Sequence, residues 1–339
     1  LLPDVQDMRS IATLLSLRIR YELAIGRTDK AARTLQIGFA VGRHVADSPT
    51  LIRALVGMAI TNIMLGRLEE VMQQPDAPSF YWPLADLPRP FIDMRMPTEG
   101  ERIGAYGTFP GAAEMAADLN AKPWTPEHIA KIVEVFGLFD DNQNEILRVK
   151  EKALLLTRLA SKHEAAKKAL LDEGRPKELV DAMPHVQVAL RVALMQYDAL
   201  LDQVLKYQAA PFWEANPAMA KAAQQVKALA NDRDEPAIPI ARTFLPAVEK
   251  VFAARTRTDR RIAALRCVEA VRLYAAAHDG KPPASLDDIK DLPLPMDPVT
   301  GKPFDYRVVG DRAYLSCTPF PGQPANNITT PTYELIFAR

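Results

Sequence analysis

The stretch from Asp259 to Cys317 constrains the fold of this 339-residue chain more than any other. It contains an amphipathic helix pattern, a loop interrupted by prolines, the turn phrase DPVTGKPFDYR and then alternating apolar residues. Along the helix, apolar side chains recur every three or four positions: Ile262, Leu265, Val268, Val271 and Ala275. Such spacing places them on one helix face, which must pack against another element.

Alternating residues after this helix predict a small antiparallel sheet. Ser285 and Asp288 have the spacing of a capping box, and Gly301 can supply a positive φ in the turn that Asp297-Pro298 opens. The alternating runs are Phe304, Tyr306 and Val308, then Ala313, Leu315 and Cys317, then Tyr333, Leu335 and Phe337. We therefore predict a C-terminal α+β module of one helix and a three-stranded antiparallel sheet.

Helical spacing of apolar residues dominates the rest of the chain, so we predict a mainly α protein in which helical hairpins or a bundle precede this module. Long helices are predicted over about 126–139, 144–172, 176–207 with a kink at Pro184, 217–231 and 241–278. The predicted segments are hairpins over 1–75, a connection rich in proline and aromatic residues over 76–125, a long-helix bundle over 126–240 and the α+β module over 241–339.

A short phrase recurs within the first hairpins. Gly26-Arg27-x-Asp29-Lys30-Ala31 reappears forty positions later as Gly66-Arg67-x-Glu69-Glu70-Val71. Because glycine lets two helices turn tightly, each copy predicts a helix–turn–helix. The repeat resembles the turn of a tetratricopeptide-type helical hairpin, whose usual period is shorter. An ordinary helical bundle is the alternative.

The phrases LRCVEAVRLYAAAHDGKPPASLDDI and LPLPMDPVTGKPFDYRV resemble the soluble part of a major pseudopilin of type II secretion. The corresponding positions are Asp297, Pro298, Gly301, Pro303, Phe304 and Tyr306. The hydrophobic assembly helix of that family has no counterpart, and Pro319–Asn327 replaces its acidic calcium loop. The resemblance therefore implies a fold for about a quarter of the chain, and neither a calcium site nor a secretion role. The whole arrangement also resembles uncharacterised proteins of bacterial envelopes, which implies an exported location.

The charge balance argues against a nucleic-acid partner. Lys plus Arg (42) equals Asp plus Glu (42), whereas nucleic-acid binders usually carry a basic excess. The densest basic run consists of Arg255, Arg257, Arg260 and Arg261, and we interpret it as a solvated helix face.

Cysteine usage and hydropathy bear on location. Cys267 and Cys317 leave two alternatives, a single disulfide or two buried free thiols. The most apolar stretch, Leu51 to Leu65, is shorter than the roughly 20 residues that span a membrane, so no transmembrane segment is expected. The chain begins with Leu1 rather than Met, which favours a processed or truncated product. We expect a periplasmic or extracellular envelope location, with the cytoplasm as the alternative.

Two motifs approach metal sites without completing one. His163-Glu164-Ala165-Ala166-Lys167 has Lys where the zinc protease motif needs its second His. Asp140, Asn142, Asn144 and Glu151 follow calcium-loop spacing, but Glu145 occupies the position of the required glycine. We therefore predict no metal, no cofactor and no catalytic residue.

The connection over 76–125 is where we expect any ligand surface, because long loops are usually functional or packed across a groove. Its candidate interaction residues are Tyr81, Trp82, Arg89, Glu99, Glu101 and Trp124. The leading hypothesis is a non-enzymatic protein-interaction or scaffold protein of the bacterial cell envelope, with an unidentified protein partner and self-association left open. The alternatives are a pilus-like or secretion-associated structural subunit, and a hydrolase with carboxylates in the 80–102 segment.

Overall fold

The computed structural model describes residues 3–138, 163–231 and 238–337. Within them the chain is mainly α-helical and ends in a three-stranded antiparallel sheet, as predicted. The helices are α1 (Pro3–Ala24), α2 (Thr28–Ala46), α3 (Leu51–Met72), α4 (Tyr81–Ala85), α5 (Arg95–Thr108), α6 (Ala112–Ala117), α7 (Pro126–Leu138), α8 (His163–Asp172), α9 (Lys177–Ala182), α10 (His185–Leu205), α11 (Phe212–Asn231) and α12 (Ile238–Ala277). A 3-10 turn (Leu286–Asp288) precedes β1 (Asp305–Val309), β2 (Arg312–Ser316) and β3 (Thr332–Ile336).

The contacts between residues divide the chain into two compact units. The described parts of the first are residues 3–97, 208–217 and 250–337; those of the second are 98–138, 163–207, 218–231 and 238–249. The first unit thus combines the N-terminal helices with the C-terminal module. The four consecutive segments expected from the sequence remain a prediction.

In the first unit, α1, α2 and α3 form a bundle whose first turn is at Gly26, with φ of 70°. The second copy of the repeated phrase does not form a turn. Gly66 lies inside α3, because Leu68, Val71 and Met72 continue the buried helical pattern beyond it. The expectation of a second helix–turn–helix at this position was therefore wrong.

Helices α2 and α3 pack closely through glycines. A Cβ atom placed on Gly57 would lie 2.4 Å from the carbonyl oxygen of Gly42, and one placed on Gly42 would lie 2.5 Å from the Thr61 Oγ1. Glycine is therefore required at both positions, because a larger residue would force the two backbones apart.

Helix α3 is longer than the apolar stretch recognised in the sequence. It has 22 residues and a most apolar window of mean hydropathy 1.5, so by length and composition it could cross a membrane. However, 56% of that window is buried inside the protein, as is common for the core helix of a bundle.

The C-terminal half of α12 is the centre of the first unit. Every residue from 262 to 270 is buried, so this helix is covered on all sides and not on one face alone. Its neighbours include α3, where the Arg261 guanidinium pairs with Glu69 at 2.9 Å. They also include the segment after α3, where the Phe80 backbone N–H donates to Glu269 at 2.6 Å.

The C-terminal module agrees closely with its prediction. The sheet has the order β1-β2-β3 with antiparallel pairing throughout, and Tyr306 is paired with Leu315. The capping box of Ser285 and Asp288 is present, and Gly301 has a φ of 69°. Both features are local signals, which explains why the sequence alone revealed them.

The prediction that the basic run on α12 forms a solvated helix face was wrong. Arg255 and Arg260 are buried, not solvated. Arg260 Nη2 lies 2.6 Å from Asp297 Oδ2, and its Nη1 donates to the Thr329 carbonyl at 3.1 Å. The expected solvated face is occupied by segments that lie far away in the sequence, which a helical pattern cannot reveal.

The second unit contains a partly buried polar network. Tyr106 Oη donates to Asp198 Oδ2 at 2.5 Å, and Arg191 pairs with Glu173. Arg175 is buried and donates to the Met115 carbonyl at 2.6 Å. Pro184 separates α9 from α10 here instead of kinking one long helix, because proline cannot donate the next helical hydrogen bond.

Candidate functional site

The six candidate interaction residues fall in both compact units. Tyr81, Trp82 and Arg89 belong to the first unit. Tyr81 is fully buried and donates from its hydroxyl to the Pro293 carbonyl at 2.7 Å, so it supports the fold. Trp82 is exposed, and its ring meets the Tyr81 ring edge-on at 5.0 Å.

Glu99, Glu101 and Trp124 belong to the second unit. Glu99 is exposed and pairs with Arg102 at 3.4 Å, while Glu101 is partly exposed. Trp124 is half-buried and stacks on His128 with a centroid distance of 4.6 Å. Glu99 and Trp124 thus contact different partners, Arg102 and His128 respectively.

A pocket of about 410 Å³ in the first unit contains two charged side chains, Arg255 and Asp259, whose pKa values are shifted by burial. It is lined by one side of α12 together with Leu84, residues 87–90, residues 208–213, Pro295, Met296 and Pro298. Of the predicted residues, Arg89 alone is in this lining. The volume of this pocket is within the range of about 300–1,000 Å³ usual for small-molecule sites. A larger groove of about 750 Å³ lies beside β3.

Three charged side chains of α12 line this pocket: Arg255, Asp259 and Arg266. Their separations of four and seven residues place them along the same side of the helix. Asp259 Oδ1 accepts a hydrogen bond from the Phe91 backbone N–H at 2.9 Å. Burial lowers the pKa of Arg255 and raises the pKa of Asp259 to about 6, although Phe91 and the charge of Arg255 oppose the latter.

Apolar side chains form most of the remaining wall, including Phe212, Trp213, Ile262 and Met296. The Trp213 indole lies against the backbone of Gly301, where an added Cβ would stand 2.6 Å from the ring. Gly301 therefore has two roles: it adopts the positive φ of the turn, and it leaves room for the Trp213 ring in the pocket wall. Sequence reasoning missed the site; the available signal was three charges at helical spacing beside an otherwise apolar run.

The remaining sequence hypotheses have mixed outcomes. Cys267 and Cys317 are free and buried, and burial raises the pKa of their thiols to about 12 and about 11. Among the described residues no group of three or more His, Cys, Asp or Glu could hold a metal ion. The calcium pattern from Asp140 to Glu151 lies outside the described residues.

A second surface stands out on α1. Its apolar residues are divided between two opposite faces: Ala12 and Ile19 are fully buried, whereas Leu14, Leu17 and Tyr21 are 65%, 57% and 62% exposed. Ile11, and Ile25 in the turn directly after α1, extend this exposed side. We call Ile11, Leu14, Leu17, Tyr21 and Ile25 the α1 stripe.

Comparison with known protein families, with curated proteins and with solved structures finds no match for this chain. The class that the described fold itself defines is a mainly helical protein that ends in a small three-stranded antiparallel sheet.

Proposed function

We propose that this chain is a non-enzymatic protein-interaction or scaffold protein that binds a helix of another protein on the α1 stripe. The observation that carries the proposal is the exposure of Leu14, Leu17 and Tyr21, more than half of each side chain in a continuous row. Single exposed apolar residues are ordinary, but a contiguous row marks an interaction surface.

The spacing of the stripe favours a helical partner. Ile11, Leu14, Tyr21 and Ile25 follow the a and d positions of two heptads, with Arg18 at the intervening a position and Leu17 beside it. The row from residue 11 to residue 25 is about 21 Å long at the rise of an α-helix. Arg18 is 59% exposed and reaches the carboxylate of Glu22 only at 4.0 Å. A charged residue at an a position helps to set the register of helix pairing.

The alternatives receive less support. A pilus-like subunit needs a free face on the helix that corresponds to α12, whereas residues 262–270 are buried by the chain itself. A hydrolase based on Glu99 and Glu101 needs both carboxylates at a cleft, and neither lines the pocket described above.

We further propose a bacterial envelope location. Its support is the resemblance of the whole arrangement, a helical part followed by the C-terminal module, to proteins of bacterial envelopes, so it is independent of the α1 stripe. Fractionation of cells into cytoplasm, periplasm and membrane tests it, and recovery in the cytoplasm alone would refute it.

The interaction is tested with the double substitution Leu14→Glu and Leu17→Glu. Both side chains are exposed, so the variant is expected to keep the melting temperature of the wild type while it loses crosslinks to its partner in crosslinking and mass spectrometry of native cells. The matched control is Ile103→Glu, an apolar residue of the second unit that is 66% exposed. Crosslinks at residues 11–25 that survive the double substitution would contradict the proposal. If light scattering shows dimers that the double substitution dissociates, the occupant is a second copy of the chain instead.

A further inference from the structure

Two buried guanidinium groups in the α12 pocket, those of Arg255 and Arg266, form no ion pair with a carboxylate of the described residues. Arg255 is 8% exposed and Arg266 is 5% exposed. The Nε atom of each is buried without a hydrogen bond. A charge that is buried in this way is costly unless something pairs with it.

The hydrogen bonds and ring contacts of these two arginines are all with neutral groups. Arg255 donates from Nη1 to the Gln208 carbonyl at 3.3 Å and lies 5.0 Å from the centre of the Phe252 ring. Arg266 donates from Nη2 to the Tyr81 hydroxyl at 3.0 Å and to the Pro293 carbonyl. These bonds satisfy some of the N–H groups. The charge of Arg255 is offset only in part, by the nearby carboxylates of Asp259 and Asp93, neither of which forms an ion pair with it.

Arg260, on the same helix, shows the contrast. Its guanidinium is also buried, but Asp297 accepts two of its N–H groups, at 2.6 and 3.1 Å. A carboxylate therefore forms an ion pair with the buried Arg260. Among the described residues, none forms such a pair with Arg255 or Arg266, the two arginines of α12 that line the pocket.

The pocket is positively charged as a whole. Arg255 and Arg266 contribute two positive charges against the single negative charge of Asp259, whose Oδ1 accepts from the Phe91 N–H. Arg89 adds a further positive charge from an exposed part of the wall, where its Nη2 donates to the Ala85 carbonyl at 3.0 Å. The vacant space between them is bounded mainly by apolar side chains.

We propose that this pocket binds a small organic anion, a carboxylate attached to an apolar body. The carboxylate pairs with the Arg255 guanidinium, because the planar group of arginine matches two carboxylate oxygens. The apolar body lies against Trp213 and Ile262. This inference is independent of the proposed partner at the α1 stripe.

The test uses octanoate as the probe and the full chain as the protein. Isothermal titration calorimetry reports binding, with octanol and octylammonium as ligands of the same chain length without the negative charge. We expect saturable binding of octanoate that is at least about tenfold tighter than that of either control, since hydrogen bonds to charged groups have this size. Equal binding of all three ligands, or no saturable binding of octanoate, would overturn the proposal.

Variants locate the site. Arg255→Met is expected to weaken octanoate binding at least about tenfold. Arg257→Met is the matched control, because Arg257 lies on the same helix, donates to Gln323 at 3.0 Å and is absent from the pocket wall. It is expected to bind octanoate within about twofold of the wild type.

A variant at Met296 tests the same site independently of whether Arg255→Met folds. Met296 is in the pocket wall and 54% exposed, so Met296→Glu places a negative charge at the site without disturbing the core. It should weaken octanoate binding several-fold by repulsion, whereas Met296→Gln should not. Unchanged affinity in Met296→Glu and in a folded Arg255→Met would refute the site.

Discussion

At the scale of single residues, Asp259 links the stability of the fold to mildly acidic pH. Burial raises its pKa from 3.8 to about 6 in the folded protein. The folded state therefore binds the proton more tightly than the unfolded state does. Below about pH 4 Asp259 is protonated in both the folded and the unfolded state, and the fold has its full stability. The free energy of unfolding falls as pH rises from about 4 to about 6, because the folded state must then hold a negative charge away from solvent.

The substitution Asp259→Asn should remove this dependence. We expect it to raise the free energy of unfolding by about 1–2 kcal/mol at pH 7.5 and to leave it nearly unchanged at pH 4; the full shift corresponds to about 3 kcal/mol, and partial contact with solvent reduces it. The asparagine carbonyl can still accept from Phe91. Urea unfolding at both pH values measures the effect, with Asp311→Asn in an exposed turn as the control. A variant that is destabilised at pH 7.5 would contradict the assignment.

Among the elements, α2 and α3 pack closely because glycine stands at their contact. Gly57→Ala would place a Cβ atom 2.4 Å from the Gly42 carbonyl oxygen and 2.6 Å from the Cβ of Ala46. Since backbone atoms cannot move aside cheaply, we expect a loss of about 1–3 kcal/mol in the free energy of unfolding.

The control for this substitution is Gly104→Ala in α5. An added Cβ there meets nothing within 4 Å, so alanine should stabilise the helix by about 0.5–1 kcal/mol. Chemical denaturation of both variants gives the comparison. Equal effects in the two helices would show that the close approach of α2 and α3 does not constrain residue 57.

The sequence predicted those elements that depend on local signals. The C-terminal sheet, the capping box of Ser285 and Asp288, and the turn at Gly301 each follow from residues within a few positions of one another. The repeated phrase misled because glycine permits a turn without requiring one. At Gly66 the continuing apolar pattern of α3 decided the outcome.

At the scale of the molecule, the sequence could not predict which segments meet. The burial of Arg260 depends on Asp297 and Thr329, and that of Glu269 depends on the backbone of Phe80, 189 positions away. The pocket was missed for the same reason, since its wall combines four separate stretches of chain. Helical periodicity reports one helix at a time and contains no information about such pairings.

The first unit should therefore not survive the loss of its C-terminal part. In a chain that ends at residue 249, Asn62 loses its hydrogen bond to Thr258 and Glu69 loses its ion pair with Arg261. We expect helical circular dichroism to persist without a cooperative thermal transition. Hydrogen exchange should show that the amides of α3 lose their protection. Undiminished protection of α3 in the shortened chain would contradict this prediction.

The division of the first unit into distant stretches also sets an order of events during synthesis. The ribosome makes α1, α2 and α3 first, and then adds about 180 residues before it reaches position 250. At usual elongation rates this interval is on the order of ten seconds or longer. During this interval α12 has not been made, so the apolar surfaces that it covers in the folded unit are exposed. They can be covered only by a chaperone or by contacts among the three helices.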